Sequence, residues 1–234
     1  MLTVNVLVPV YNEARTIVKV LETIERQDID GFSIEVIVID DGSTDQTVEV
    51  LESRPNLYSR LIRRSQNGGK GAAVIDGLMV ATADYILFQD ADLEYDPRDF
   101  KQLFFVVSEC GAEIVMGSRL SAPPITRVSY FWNKVGNRLI TLLFNVLNNT
   151  AFTDIYSGYL LYKRTLVAPK SLRAFGWDQQ AEILTIASRK TSKLYEVPIS
   201  YFGRTLEEGK KIRWTAIFKI FYRLISTRLR PLEL

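Results

Sequence analysis

The stretch Tyr85-Ile86-Leu87-Phe88-Gln89-Asp90-Ala91-Asp92-Leu93-Glu94 decides how this chain is read. An apolar run, Tyr85 to Phe88, ends abruptly in the two carboxylates of Asp90 and Asp92. At the end of a buried strand these two acids point the same way, because side chains alternate along a strand. Adjacent like charges are costly unless something positive sits between them. Oxygen ligands select hard divalent ions, so Mg²⁺ or Mn²⁺ is the expected cofactor, and through it the pair can hold a diphosphate. The plainer alternative is a solvated turn after a strand, with Asp90 capping the next helix.

Outward from this stretch, the first half alternates strand and helix patterns. Val4 to Val10 is apolar and β-branched, a buried strand. Asn12 is placed to cap a helix from Glu13 to about Gln27, with Ile17, Val20, Leu21 and Ile24 on one face. Ser33 to Ile39 is a second strand, its Val36-Ile37-Val38-Ile39 run continuous as in parallel sheets. Asp41-Gly42-Ser43-Thr44-Asp45 is a turn before a helix from about Gln46 to Ser53, and Leu57 to Arg63 is a short strand. Gly68-Gly69-Lys70-Gly71 opens a helix from Ala72 to Ala81; then come the strand Tyr85 to Gln89, a helix from Pro97 through Val107 and a strand Glu113 to Gly117. This rhythm specifies a doubly wound α/β sheet. Ligands of such sheets bind beyond the carboxyl ends of the strands. Here those ends carry Pro9-Tyr11-Glu13, Asp40-Asp41, Asp90-Asp92 and Gly117-Ser118-Arg119, which converge on one rim.

The second half is less regular. Asn133 to Asn148 reads as an amphipathic helix, Ser157 to Tyr162 as a strand, and Asp178 to Ser188 as a helix. Tyr195 to Tyr201 is a strand placed at a sheet edge by Pro198. Arg204 to Lys211 is a polar loop, and Trp214 to Arg228 a basic amphipathic helix.

Composition narrows the chemistry. Hydrophobic residues make up 47% of the 234 residues and charged ones 24%, enough for a full core and ordinary for a folded domain. A net charge of +2 argues against a nucleic-acid partner. The absence of histidine removes imidazole acid–base catalysis and His-ligated zinc. The single cysteine, Cys110, precludes an internal disulfide and suits a reducing compartment. Met1 to Val10 lacks the features of a signal peptide, and no window reaches the roughly 18–20 apolar residues of a spanning helix, so the expectation is a cytoplasmic protein peripheral to the membrane.

Taken in order, Val8-Pro9-Val10-Tyr11-Asn12-Glu13, Val38-Ile39-Asp40-Asp41-Gly42-Ser43-Thr44-Asp45, Asn67-Gly68-Gly69-Lys70-Gly71, Asp90-Ala91-Asp92-Leu93 and Gly117-Ser118-Arg119 resemble the family 2 inverting glycosyltransferases of the GT-A fold. The segment from Glu196 to Ile212 resembles the polyprenyl-phosphate branch, that of the dolichyl-phosphate mannosyltransferases. The resemblance runs from about Val4 to Phe221. It implies a Rossmann-like GT-A catalytic domain over residues 1–212, with a mostly parallel sheet, and a basic amphipathic helix over 213–234. It also implies a UDP- or GDP-linked sugar donor and a polyprenyl phosphate acceptor. By motif match, Pro9, Tyr11, Glu13, Ile39 and Asp41 belong to the nucleoside side of the donor site. Asp90, Ala91 and the metal ligand Asp92 belong to its diphosphate side, with Arg119, Arg204 and Lys210 at phosphates. Lys70 is a further donor-site candidate; no Walker pattern surrounds it, and a structural turn before a helix is the plainer reading.

The chemistry is consistent with the missing histidine. An alcohol acceptor needs a general base, whereas a phosphate monoester is already an oxyanion and needs cations, for which Arg119, Arg127 and Arg138 are candidates. Asp178 either orients the sugar or caps the Gln179 helix. No Gln-x-x-Arg-Trp motif follows it, which favours single transfer over processive synthesis. Many relatives of this branch carry C-terminal transmembrane helices and this sequence has none, so a membrane surface, or a membrane-anchoring partner subunit, is expected to supply that contact. The Trp214–Arg228 helix either packs its apolar stripe on the domain or lays it on anionic lipid, and the Tyr130–Leu147 helix is a second candidate for that contact. Two other functions stay open: the same fold acting on a hydroxyl acceptor, and a non-catalytic nucleotide-sugar-binding scaffold subunit.

Overall fold

Alternation along the first strand sets the layers of the molecule. In β1 (Leu2–Val10) the side chains of Val4, Val6, Val8 and Val10 enter one apolar cluster and Leu7 enters another on the opposite face. The computed structural model describes residues 1–121, 127, 131–203 and 216–231. After β1 come α1 (Ile17–Glu25), β2 (Phe32–Asp40), α2 (Thr47–Glu52), β3 (Arg60–Arg63), α3 (Lys70–Val80) and β4 (Tyr85–Phe88). The chain continues through α4 (Phe100–Cys110), β5 (Ile114–Ser118), α5 (Phe131–Asn148) and β6 (Leu160–Lys163). It closes with α6 (Gln179–Ser188), β7 (Leu194–Pro198) and α7 (Ala216–Leu229).

These strands form a sheet of order β3-β2-β1-β4-β6-β5-β7. Every pairing is parallel except those of β6, which runs antiparallel to both β4 and β5. The doubly wound α/β sheet expected from the alternating rhythm is present, mostly parallel as the family resemblance implied, with β6 as its antiparallel strand. α1 and α4 cover one face, with Leu21, Ile24, Phe100 and Phe104 in its cluster. On the other face the cluster draws on α3, α5, α6 and α7 through residues such as Val74, Phe144, Leu184 and Leu224. Strand order reverses at β1: β2 and β3 are added on one side of it and β4 on the other, and this switch point opens a crevice at the carboxyl ends of β1 and β4. Because β6 runs the other way, the residues that precede it, Tyr156 to Gly158, reach the same rim.

Several local expectations change. Asn12 does not cap α1: it has φ of 55° and its Oδ1 accepts from the Thr44 and Asp45 backbones at 2.8 and 3.3 Å, tying two loops together. α1 starts only at Ile17. The β3 strand is shorter than the apolar pattern, because Pro55–Leu57 forms a 3-10 turn. Pro198 ends β7, which lies at a sheet edge as a proline should. Seated against α5 and α6, α7 buries Ile220 and Leu224. The expected boundary at 212/213 falls outside the described residues, as do Tyr130, Trp214 and the loop Arg204–Lys211.

Candidate active site

A cavity of about 510 Å³ opens at the β1–β4 crevice. Pro9, Tyr11, Glu13, Asp41, Asp90, Asp92 and Arg119 from the rim inferred at the strand ends line it, together with the donor-site candidates Lys70 and Ala91, whereas Asp40, Gly117 and Ser118 of that rim do not.

The acids do not converge by strand alternation, as the sequence suggested. β4 ends at Phe88, and Asp90 and Asp92 lie in the turn that follows. Gln89, fully buried, holds that turn from beneath: its Nε2 donates to the Asp90 carbonyl at 2.9 Å and its Oε1 accepts from the Tyr159 hydroxyl at 2.6 Å. Asp92 Oδ1 accepts the Glu94 N–H at 3.2 Å, and Leu93 between them takes φ of 63°, a left-handed conformation that a branched side chain adopts only when its surroundings impose it. Gly158 closes the floor. A Cβ there would lie 2.6 Å from the Tyr95 ring and 3.0 Å from Asp90 Oδ2, so only glycine permits this approach.

The two neighbouring aspartates at the end of β2 divide the work. Asp40 is buried and accepts the Ser43 N–H, holding its own turn. Asp41 accepts from Arg64 Nη1 at 2.5 Å and from the Gly68 and Gly69 backbones at 3.0 and 2.8 Å. It fixes the glycine loop that delivers Lys70 as the first residue of α3. The Lys70 ammonium is paired with Asp90 Oδ1 and lies 5.5 Å from the centre of the Trp177 ring. Lys70 therefore does more than end a turn.

Arg119 is held in a buried bidentate pair. Its Nε and Nη2 donate to the two oxygens of Asp154 at 2.7 and 3.0 Å, Nη2 also to the Tyr156 carbonyl at 2.9 Å, and Nη1 to the Tyr95 hydroxyl at 3.3 Å. The guanidinium sits 5.1 Å from the centre of the Tyr201 ring. Burial alone would lower the Arg119 pKa, but Asp154 and the phenols outweigh it and hold the group well above its ordinary value. Burial likewise pushes the Asp154 carboxyl up, and Arg119 with Asn137 brings it net below the ordinary aspartate value. The Tyr95 phenol is raised well above its usual value by burial and stays neutral.

Other candidates lie elsewhere. Ile39 is fully buried in the core against α3, because an apolar β2 side chain facing that layer cannot reach the rim. Asp178 precedes α6 but makes no capping bond and does not line the cavity; its Oδ2 accepts from Arg223 Nε at 2.7 Å. Arg127 is exposed, with its N–H on the Tyr201 carbonyl at 3.0 Å, and Arg138 is exposed on α5; neither lines the cavity. Arg204 and Lys210 are outside the described residues.

Asp154, Tyr95, Tyr156, Gly158 and Trp177 were not singled out from sequence, although a buried arginine after β5 demands a carboxylate and Asp154 stands in the polar stretch before β6. Nor was the cavity's apolar end, where Trp132, Ile140, Ile217 and Ile220 from α5 and α7 form the wall.

Asp90 and Asp92 are the hard oxygen donors suited to a divalent ion. Among the described residues no third Asp, Glu, Cys or His completes a metal cluster with them. That donor set fits an ion which takes its remaining ligands from water and phosphate, as Mg²⁺ does.

Residues 5–168 match the family described as Glycosyl transferase family 2. The UDP-N-acetylglucosamine–dolichyl-phosphate N-acetylglucosaminyltransferase of Methanococcus voltae is 28% identical, over 97% of this chain and 96% of that protein. The dolichol-phosphate mannosyltransferase of Pyrococcus furiosus is 28% identical and glycosyltransferase AglJ of Haloferax volcanii 32%, over 95% and 86% of this chain. The chain spans only 64% and 63% of the length of these two relatives. Among solved structures, glucosyl-3-phosphoglycerate synthase from Mycobacterium tuberculosis shares the fold with a TM-score of 0.73 at 22% identity, covering 98% of this chain and 80% of that one.

Proposed function

The chain belongs to glycosyl transferase family 2, and on that premise we propose that it moves one sugar from a UDP- or GDP-linked donor to a polyprenyl phosphate, with inversion at the anomeric carbon and with Mg²⁺ or Mn²⁺ held by Asp90 and Asp92. The observation that carries this reading is the two-ended cavity. Carboxylates and Lys70 line it where β1, β2 and β4 end, and Trp132, Ile140, Ile217 and Ile220 line it between α5 and α7. A substrate that joins a phosphate to a hydrocarbon matches both ends. The relatives from Methanococcus voltae and Pyrococcus furiosus are named for dolichyl phosphate, and the mycobacterial enzyme was crystallised with UDP and Mn²⁺ or Mg²⁺, which supports the same substrate classes and ion here.

In this reading Pro9, Tyr11 and Glu13 hold the nucleoside, and Asp41 fixes the Gly68–Gly69 turn beside it. When bound, the divalent ion offsets charge developing on the leaving diphosphate. Lys70 stands beside Asp90 and supplies a cation to incoming phosphate oxygens. Arg119 acts as a positioning residue, because Asp154, Tyr156 and Tyr95 engage most of its N–H groups. The acceptor phosphate needs no base to deprotonate it. An alcohol acceptor would, and the nearby acid Asp178 is turned to Arg223. In this reading α7, which lines the cavity, belongs to the catalytic body, which works peripherally at the cytoplasmic face of a membrane.

The test incubates the protein and a divalent ion with a panel of UDP- and GDP-sugars, offering detergent-dispersed polyprenyl phosphate or soluble sugar acceptors. A lipid-linked monosaccharide of inverted anomeric configuration is expected. Transfer to hydroxyl acceptors alone would overturn the acceptor assignment, and turnover that survives Asp92→Ala would overturn the role of the acid pair.

A further inference from the structure

α5 and α7 run side by side in the same direction. A Cβ on Gly136 would lie 2.9 Å from Ile217 Cδ1, and Arg228 Nε donates to the Leu147 carbonyl at 2.7 Å. The spacing between the two contacts is the same on both helices, so they are in register. Trp132, Leu142 and Val146 on α5 and Phe218, Tyr222 and Leu229 on α7 are each more than half exposed. With 3.6 residues per turn, these fall on one stripe of each helix, and each stripe borders the seam where the helices touch. The two stripes therefore join into one apolar face, larger than scattered surface residues produce.

The charge that the two helices themselves bring to this face is of one sign. Neither helix contains an acidic residue. Lys134 and Arg138 flank the face on the α5 side and Lys219 on the α7 side, all exposed. Beyond α7 a second cavity, of about 310 Å³, is lined by Arg173, Arg223, Arg230, Ser226, Tyr222 and Leu229. Two of its arginines are fixed in place: Arg223 on Asp178 at 2.7 Å, Arg230 on the buried Glu182 at 3.2 Å and on the Ser171 carbonyl at 3.0 Å. The Arg173 side chain is exposed and, among the described residues, makes no hydrogen bond or ion pair. Arg173 thus offers a whole guanidinium to the recess, and Arg223 and Arg230, held in place by Asp178 and Glu182, offer their remaining N–H groups beside the Ser226 hydroxyl, donors of the kind that bind phosphate. Tyr222 and Leu229 belong both to this recess and to the apolar face, so the recess opens at the edge of that face.

We propose that the Arg173–Arg223–Arg230 recess binds the headgroup phosphate of an anionic bilayer lipid while the joined faces of α5 and α7 enter the acyl boundary. The inference rests on the lipid-acceptor reading for its purpose: docked in this way, the α5–α7 end of the active-site cavity lies at the bilayer, where a polyprenyl phosphate is found.

The test is co-sedimentation of the whole chain with phosphatidylcholine vesicles, with and without phosphatidylglycerol. The wild type is expected to bind the anionic vesicles preferentially. Arg173→Glu reverses one surface charge and is expected to weaken that binding roughly tenfold to thirtyfold, with melting temperature and transfer to a detergent-dispersed acceptor unchanged. Phe218→Asp is expected to reduce binding to both kinds of vesicle. Equal wild-type binding to neutral and anionic vesicles, or wild-type behaviour of Arg173→Glu, overturns the proposal. Release by inorganic phosphate at constant ionic strength overturns it in favour of a soluble anion. Failure of the wild type to glycosylate polyprenyl phosphate strikes the acceptor reading, whereas normal transfer without anionic preference strikes only the docking recess.

Discussion

At the β1–β4 end of the cavity, polar groups arrive on short loops that follow parallel strands, and each loop is bonded to the next: Asn12 to Thr44, Asp41 to Gly68 and Gly69, Lys70 to Asp90. At the α5–α7 end the wall is made of apolar side chains from two helices far apart in sequence, which meet only because both pack on the same layer of the sheet. Between the two ends stands the Arg119–Asp154 pair, which fastens the loop after β5 to the loop before β6. The first end is suited to recognising charge and the second to accepting hydrocarbon. A substitution should therefore damage one substrate's handling and leave the other's intact, except at the pair that joins them.

The sharpest way to break this division is Asp92→Ala. Loss of the proposed metal ligand is expected to remove several kcal/mol of transition-state stabilisation, a rate loss on the order of a thousandfold or more. The melting temperature should hold within a few degrees, measured by initial rates and thermal denaturation on the same sample. A variant that is inactive only because it is unfolded would break the comparison.

Next in size is Asp154→Ala. It leaves a buried guanidinium without its counter-charge, at a cost of about 3–5 kcal/mol. Urea denaturation should show this loss, and because Arg119 also carries Tyr95, both donor and acceptor kinetics should suffer. A change confined to stability would mean that the pair is purely structural.

At the other end, Ile217→Gln places an amide in the apolar wall. The Michaelis constant for a long polyprenyl phosphate is expected to rise roughly tenfold, with little change for a short-chain phosphate and none in donor affinity by calorimetry. An equal loss for both chain lengths would detach α7 from acceptor binding.

The smallest effect concerns pH. The Asp154 carboxyl lies below its ordinary value when folded, so the stability it contributes is present above the unfolded aspartate pKa of about 3.9 and is lost as pH falls through the lower folded value. Melting curves between pH 6 and acid, in the range of about 2 to 4 where aspartates titrate, should fall less steeply for Asp154→Asn than for the wild type.

The same division explains what the sequence made legible. The parallel half announces itself through continuous apolar strands and turn residues, signals within a few positions of one another; seven cavity-lining residues, Pro9, Tyr11, Glu13, Asp41, Asp90, Asp92 and Arg119, stand at the strand ends read from them, and Lys70 and Ala91 were added as donor-site candidates. Some local inferences still failed for local reasons. Asn12 has the right chemistry for a helix cap, but its side chain is engaged by the facing loop. Asp90 and Asp92 share the cavity through a turn pinned by Gln89, and the strand ends too early for alternation to align them. The second half depends on long-range relations that no short pattern encodes. The apolar run of β6 does not reveal that it runs antiparallel to β4 and β5, and that direction is what brings Tyr156 and Gly158 to the rim. Arg119 was visible as a cation, whereas its partner Asp154 becomes identifiable only once β5 and β6 are paired.

The central claim, that Asp90 and Asp92 hold a donor diphosphate through a divalent ion, is tested most directly by titration calorimetry of nucleotide sugars with and without Mn²⁺, on the wild type and on Asp92→Asn. The wild type is expected to bind a UDP- or GDP-sugar saturably and more tightly with the ion, and the variant to lose that ion dependence. Binding indifferent to Mn²⁺, or identical in Asp92→Asn, would contradict it.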